Sequence, residues 1–204
     1  MTPDRAYRWL MEAASPPAGE SFDQHVCASI LSLAIFQARE GNMSLAATTG
    51  LDSKSLGAFA ENLFPGAADA LMKMARDPAP ALGPEEQAIR DILLMYASGR
   101  LDFVGPLSTL IARRCQEPRH LWQDLGLRDR SELSQLMQRH FPRLKTRNSG
   151  DMKWKKFLTR LVCGSEGFTL CPAPVCSDCD DFSSCFGSEE GVAQLSHVYR
   201  EERP

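Results

Sequence analysis

The sequence predicts an all-α protein, a helical bundle with an irregular C-terminal cysteine-rich metal-binding segment. Three observations carry this reading. Apolar residues recur at helical spacing, between Pro and Gly punctuation, through most of the chain. No stretch alternates apolar and polar residues as a half-buried strand would. Four of the seven cysteines fall between Cys171 and Cys185, in a stretch with two prolines and no periodicity.

The elements follow in order. Thr2-Pro3-Asp4 offers a capping hydroxyl, a first-turn proline and an acid at the positive end of a helix that runs to about Ala14. Ser21 and Gln24 have capping-box spacing and open a long helix, with Val26, Ile30, Leu31, Leu33 and Ala34 facing inward and Gly41 ending it. Residues 44–64 read as two short helices around Gly50-Leu51, stopped at Pro65-Gly66. Residues 75–84 read as a loop. Pro84-Glu85-Glu86 starts a helix with Ile89, Ile92, Leu93 and Tyr96 on one face. Pro106 starts the next, with Leu107, Leu110, Ile111 and Arg114. Ser131 to His140 is a further helix, stopped by Phe141-Pro142. Asn148-Ser149 caps a last one, from about Asp151 to Cys163. The expected organisation is a helical domain over 1–163, a cysteine-rich cluster-binding segment over 164–190 and a C-terminal tail over 191–204.

Composition narrows the function classes. The chain has 204 residues, 43% of them hydrophobic, which suits one compact domain with an appended module. No apolar run approaches the roughly 20 residues that span a bilayer. The N-terminus has no basic region leading into an apolar core, so the expected location is cytoplasmic, where thiols stay reduced. An odd cysteine count also argues against a fully paired disulfide framework. The net charge of −3 disfavours general nucleic-acid binding. That charge is unevenly spread. From Arg139 to Arg160 eight cations face one acid, Asp151, for a net +7, leaving −10 elsewhere. On the 151–163 helix Trp154, Phe157, Leu158 and Leu161 share one face, and Lys153, Lys156 and Arg160 another. The second face is either an ordinary solvated surface or a positive patch for an anion or an acidic partner.

Chemistry concentrates in Cys171, Cys176, Cys179 and Cys185, a C-x4-C-x2-C-x5-C array. The C-x2-C step lets two thiolates converge on one centre, and the outer cysteines close its remaining faces. Thiolates select zinc, Cu(I) or iron–sulfur clusters. The spacing is neither a double-knuckle zinc ribbon nor a ferredoxin pattern, so iron–sulfur, structural zinc and disulfide readings all stay open on spacing alone. Cys163, at the end of the basic helix, is either a buried thiol or an additional ligand. His25 is either structural or a nitrogen donor. Cys27 and Cys115 sit in apolar helical contexts as core thiols.

The same stretches resemble a known family. LWQDLGL from Leu121, LMQRHFP from Leu136, DMKWKKFL from Asp151, LCPAPVC from Leu170 and CDDFSSCFG from Cys179 are similar to NifQ proteins of the nitrogen-fixation system. Phe22 to His25 fits less specifically. The resemblance implies a molybdenum donor in biosynthesis of the nitrogenase iron–molybdenum cofactor. It implies a molybdenum–iron–sulfur cluster, built on an iron–sulfur precursor, with Cys171, Cys176, Cys179 and Cys185 as ligands. It implies as partners the nitrogenase iron protein (NifH) and the NifEN scaffold complex. A donor needs one weakly held corner, for which Cys163, Asp178 or a histidine is a candidate.

Two other classes are weighed against this. Residues 44–56 have helix-turn-helix rhythm with Gly50 in the turn, so a zinc- or iron–sulfur-containing transcription regulator is the alternative. Its recognition helix, however, offers only Lys54 as a base-contacting cation. An enzyme is disfavoured by the lack of a phosphate loop, a nucleotide fingerprint or a Ser/His/Asp assembly.

Overall fold

The computed structural model describes residues 1–15, 21–76, 78–165, 182–195 and 198. Within them the chain is helical, with no strand. Helix α1 (Pro3–Glu12) starts as its sequence predicts, with the Thr2 hydroxyl accepting from the Arg5 N–H and Pro3 in the first turn. It packs Ala6, Tyr7 and Leu10 against α2 (Ser21–Glu40).

Helix α2 is more deeply buried than an amphipathic stripe implies. Every residue from Asp23 to Ile35 is buried, which makes it the central helix of the bundle. Its polar residues are satisfied locally: Ser29 donates to the His25 carbonyl and Ser32 to the Ser29 carbonyl, both at 2.8 Å. Arg114, 2% exposed, reaches α2 as well, donating to the Gln37 side chain and, at 3.4 Å, to the Ile30 carbonyl. Burial brings its guanidinium down to about 10.

Helices α3 (Leu45–Thr49) and α4 (Ser53–Leu63) flank Gly50, which takes φ +73°. The helix-turn-helix rhythm is therefore real. Its second helix nevertheless buries Leu56, Gly57, Phe59, Ala60 and Leu63, and its solvent side carries one cation, Lys54, beside the acids Glu61 and the capping Asp52. That face has no positive surface to offer a phosphate backbone. A short 3-10 turn (Pro65–Ala67) leads into α5 (Ala68–Ala75), which packs on α4. Helix α6 (Pro84–Tyr96) begins at its predicted proline.

The next helix corrects one expectation. Helix α7 spans Leu101–Cys115, so Pro106 lies inside it. A helical residue before proline is normally crowded through its Cβ. Gly105 has none, which removes that crowding, although the helix still forgoes the hydrogen bond that Pro106 cannot donate. After α8 (Leu121–Asp124) comes α9 (Arg130–His140), capped by the Asp129 carboxylate, which accepts from the N–H groups of Ser131 and Glu132. Helix α10 (Pro142–Arg147) was not expected; Phe141-Pro142 ends one helix and starts another. Helix α11 (Trp154–Ser165) starts later than predicted, and α12 (Phe182–Cys185) is a single turn. No described helix is long and apolar enough to cross a membrane.

Candidate functional site

The C-terminal end of the bundle brings together the loop after α10, the start of α11 and the segment carrying Cys185. Asn148 is the organiser, as the C-terminal cap of α10 rather than the cap of α11. Its buried amide donates to the Met152 carbonyl at 2.8 Å and accepts from the Met152 N–H at 2.9 Å, closing the loop on itself. Asp151 takes φ +54° inside that ring. Arg130 braces the loop from α9, donating to the carbonyls of Asp151 at 2.8 Å and Met152 at 3.3 Å. The next residue, Lys153, donates its backbone N–H to the carbonyl of Cys185 at 2.8 Å.

Past Cys185 the chain is clamped to the bundle. Phe186 packs on the core. The Glu189 carboxylate, 3% exposed, pairs with Arg130 at 2.7 Å and with His120 Nδ1 at 3.3 Å. Gln123 donates to the Val192 carbonyl at 3.1 Å, and Gln194 donates to the Gln123 carbonyl at 2.7 Å. Leu195 and Val198 are buried. Arg130 thus supports Cys185 from two sides, through the 148–152 loop and through Glu189.

Helix α11 is amphipathic as predicted. Trp154, Phe157, Leu158 and Val162 are buried, with the Trp154 and Phe157 rings edge-on at 5.6 Å. Lys156 and Arg160 are exposed and Lys153 is half-buried. Lys155 turns inward to the nearly buried Asp124 at 2.5 Å and also donates to the Glu117 carbonyl. Burial pushes the Asp124 carboxyl up, and Lys155 opposes that rise.

The six ligand candidates fare differently. Cys171, Cys176 and Cys179 lie outside the described residues. Cys185 is half-buried on α12 and Cys163 half-buried near the end of α11. His25 is 7% exposed, on α2. Its Nδ1 lies 2.7 Å from the Tyr7 hydroxyl and its Nε2 3.3 Å from Glu132. A carboxylate only accepts, so Nε2–H donates to Glu132 and Nδ1 accepts from Tyr7. Both ring nitrogens are thereby engaged within the bundle. Cys27 is buried and its thiol is pushed well up, by burial and then by Asp23. Burial pushes the Cys115 thiol to about 12. Cys27 matches the core role read from sequence; Cys115 is only partly buried, packed against the edge of the core. No group of three or more metal-ligating side chains assembles among the described residues.

Beside this end of the bundle is an open cleft of about 600 Å³ between α6, α10 and α11. Ile92, Met152, Phe157, Leu161 and Phe186 give it an apolar lining, and Arg147 and Arg160 stand on its walls. Sequence reasoning found neither the cleft nor the Arg130–Glu189 pair. Both join residues far apart in the chain, and neither leaves a local pattern.

The sequence match spans most of this arrangement. The NifQ family model matches residues 26–187, from the central helix through Cys185. The chain belongs to the NifQ family. It is 40% identical over 172 residues to a protein NifQ homolog of Sinorhizobium fredii, covering 83% of this chain and 74% of that one. It is 35% identical over 160 residues to protein NifQ of Rhodobacter capsulatus, covering 78% and 87%. Protein NifQ of Azotobacter vinelandii is 34% identical over 140 residues, covering 69% and 68%. No solved structure matches. Membership ties this NifQ-family chain to molybdenum supply for iron–molybdenum cofactor biosynthesis in nitrogen fixation.

Proposed function

We propose that this chain is a molybdenum donor rather than a catalyst. In this reading Cys171, Cys176, Cys179 and Cys185 hold a molybdenum–iron–sulfur cluster, and molybdenum passes from it to the cofactor-assembly machinery, with the iron protein (NifH) and the NifEN scaffold complex as partners. The observation that carries the reading is the C-x4-C-x2-C-x5-C array in a chain of this family.

The described residues suit such a role. Cys27 is fully buried with its thiol pushed up, so it is a poor ligand, and the part-exposed Cys115 is pushed up too; Cys185 and Cys163 are part exposed. Cys185 has its backbone fixed by Lys153 and its downstream chain fixed through Glu189. A soft thiolate set suits iron, and the bound iron–sulfur framework supplies sulfide donors to molybdenum. The protein's part is to hold the thiolates in position and to release the cargo. For the replaceable position, Cys163 remains a candidate. His25 is less suited, because Tyr7 and Glu132 already occupy both its nitrogens.

Anaerobic purification with metal analysis and absorption spectroscopy tests this. Iron and molybdenum in the native protein, lost in Cys185→Ser and retained in Cys115→Ser, are expected. Stoichiometric zinc with no iron would overturn it.

A further inference from the structure

We propose that the cleft between α6, α10 and α11 is the docking site for an acidic protein segment bearing an apolar anchor side chain. The inference rests on the donor role above, because the occupant it names is a partner that receives or supplies the cargo.

The cleft's chemistry selects the occupant. Among the described residues that line it none is acidic: Arg147 and Arg160 supply the charge, and most of the rest is apolar. A volume of about 600 Å³ far exceeds a single oxyanion, which would leave the apolar half of the lining uncovered. An amphipathic protein segment meets both features. Met95 lies on the rim and is 66% exposed, a large apolar side chain in a position that burial by a partner would favour.

Arg143 and Arg147 are arranged for recognition rather than for internal pairing. Arg143 and Arg147, one turn apart on α10, both lie over the Tyr96 ring, at 5.3 and 5.4 Å from its centroid, and Arg147 also donates to the Tyr96 hydroxyl. No carboxylate among the described residues pairs with either. Elsewhere in the segment Arg139 pairs with Asp23, Lys145 with Asp151 and Lys155 with Asp124. Like charges at i and i+4 repel. Tyr96 holds these two together and orients them, and an incoming carboxylate is the missing complement. The chain outside residues 139–160 carries −10, so long-range attraction of an acidic partner focuses on this end of the molecule. Phe186, next to Cys185, lines the same cleft, which puts a docked partner beside the end of the cysteine array.

The test measures association of the full chain, loaded with cluster under anaerobic conditions, with the purified iron protein and with the scaffold complex. R147E/R160E is compared with K54E/K73E, a surface reversal of equal charge on α4 and α5, and with Met95→Asp. Circular dichroism and iron content check that each variant is folded and loaded. The expected result is at least a tenfold weakening for R147E/R160E with one of these partners, shrinking as salt rises. Met95→Asp should weaken the same association with little salt dependence, and K54E/K73E should have a much smaller effect. Wild-type association that R147E/R160E leaves unchanged, or weakens no more than K54E/K73E does, overturns the inference and leaves the donor role standing. A loss confined to molybdate binding, measured by calorimetry, with partner association intact, would reassign the cleft as an oxyanion site. Failure of the wild type to associate with either partner would instead overturn the partner reading itself.

Discussion

Arg130, the first residue of α9, meets Glu189 at 2.7 Å, and the same guanidinium holds the carbonyls of Asp151 and Met152. One side chain therefore ties the start of α9, the loop before α11 and the chain just past Cys185. Glu189 is 3% exposed, so the pair belongs with buried ion pairs rather than surface ones. Glu189→Gln should cost about 2–3 kcal/mol in urea unfolding. Arg130→Met should cost more, because two carbonyls also lose a donor. Hydrogen exchange should speed up over residues 182–195 in both variants. A cost below about 0.5 kcal/mol would mean that water screens the pair as it does at a surface.

The Glu132 carboxyl makes stability depend on pH. Burial works against its ionisation, but the hydrogen bonds from His25 and the Arg128 N–H, with the charge of Arg128, outweigh it and hold the carboxyl below its ordinary range. A depressed native value means the contribution is complete above the ordinary glutamate range. It disappears as pH falls through that range and then through the native value. The gap in urea midpoint between wild type and Glu132→Gln should therefore be widest near about pH 7 and close in acid. A gap of constant size down to about pH 3 would contradict this.

Gly105 and Pro106 should behave as a coupled pair. A Cβ at Gly105 meets no neighbouring atom, so space alone would permit alanine. Glycine to alanine inside a helix normally stabilises by about 0.5–1 kcal/mol. In the native chain that gain should vanish or reverse, because the new Cβ crowds the proline ring. In a Pro106→Ala background the ordinary gain should return. A double-mutant cycle by thermal or urea unfolding reads the coupling directly.

The cysteines should separate by reactivity. In metal-free native protein under anaerobic conditions, iodoacetamide should modify Cys163 and Cys185 before Cys27 and Cys115, as read by peptide mass mapping. The latter two thiols need unfolding before they form thiolate at useful concentration. Early modification of Cys115 would contradict the upward push on its thiol.

Much of the architecture is legible in local pattern. Thr2-Pro3 and Gly83-Pro84 mark helix starts that the structure keeps, and the Gly50 turn falls where its sequence puts it. The errors have local causes too. Pro106 reads as a helix start because proline is common there, and its tolerance inside α7 depends on its neighbour having no side chain. Asn148 reads as the cap of the helix that follows because it suits one, and it closes a loop instead because Met152 folds back onto it.

By itself the sequence determined the helical class, the family, the C-x4-C-x2-C-x5-C array and the core assignment of Cys27. Each is written in spacing or in neighbouring residues, which the chain carries whatever its fold. Only the tertiary structure decided that His25 is clasped by Tyr7 and Glu132, that Lys155 turns inward to Asp124, and that Arg130 and Glu189 together brace Cys185. It also decided which basic residues of 139–160 are spent on internal pairs and which border an open cleft. Those outcomes depend on which distant carboxylate or ring comes within a few ångströms when the helices pack, and local sequence holds no record of that distance.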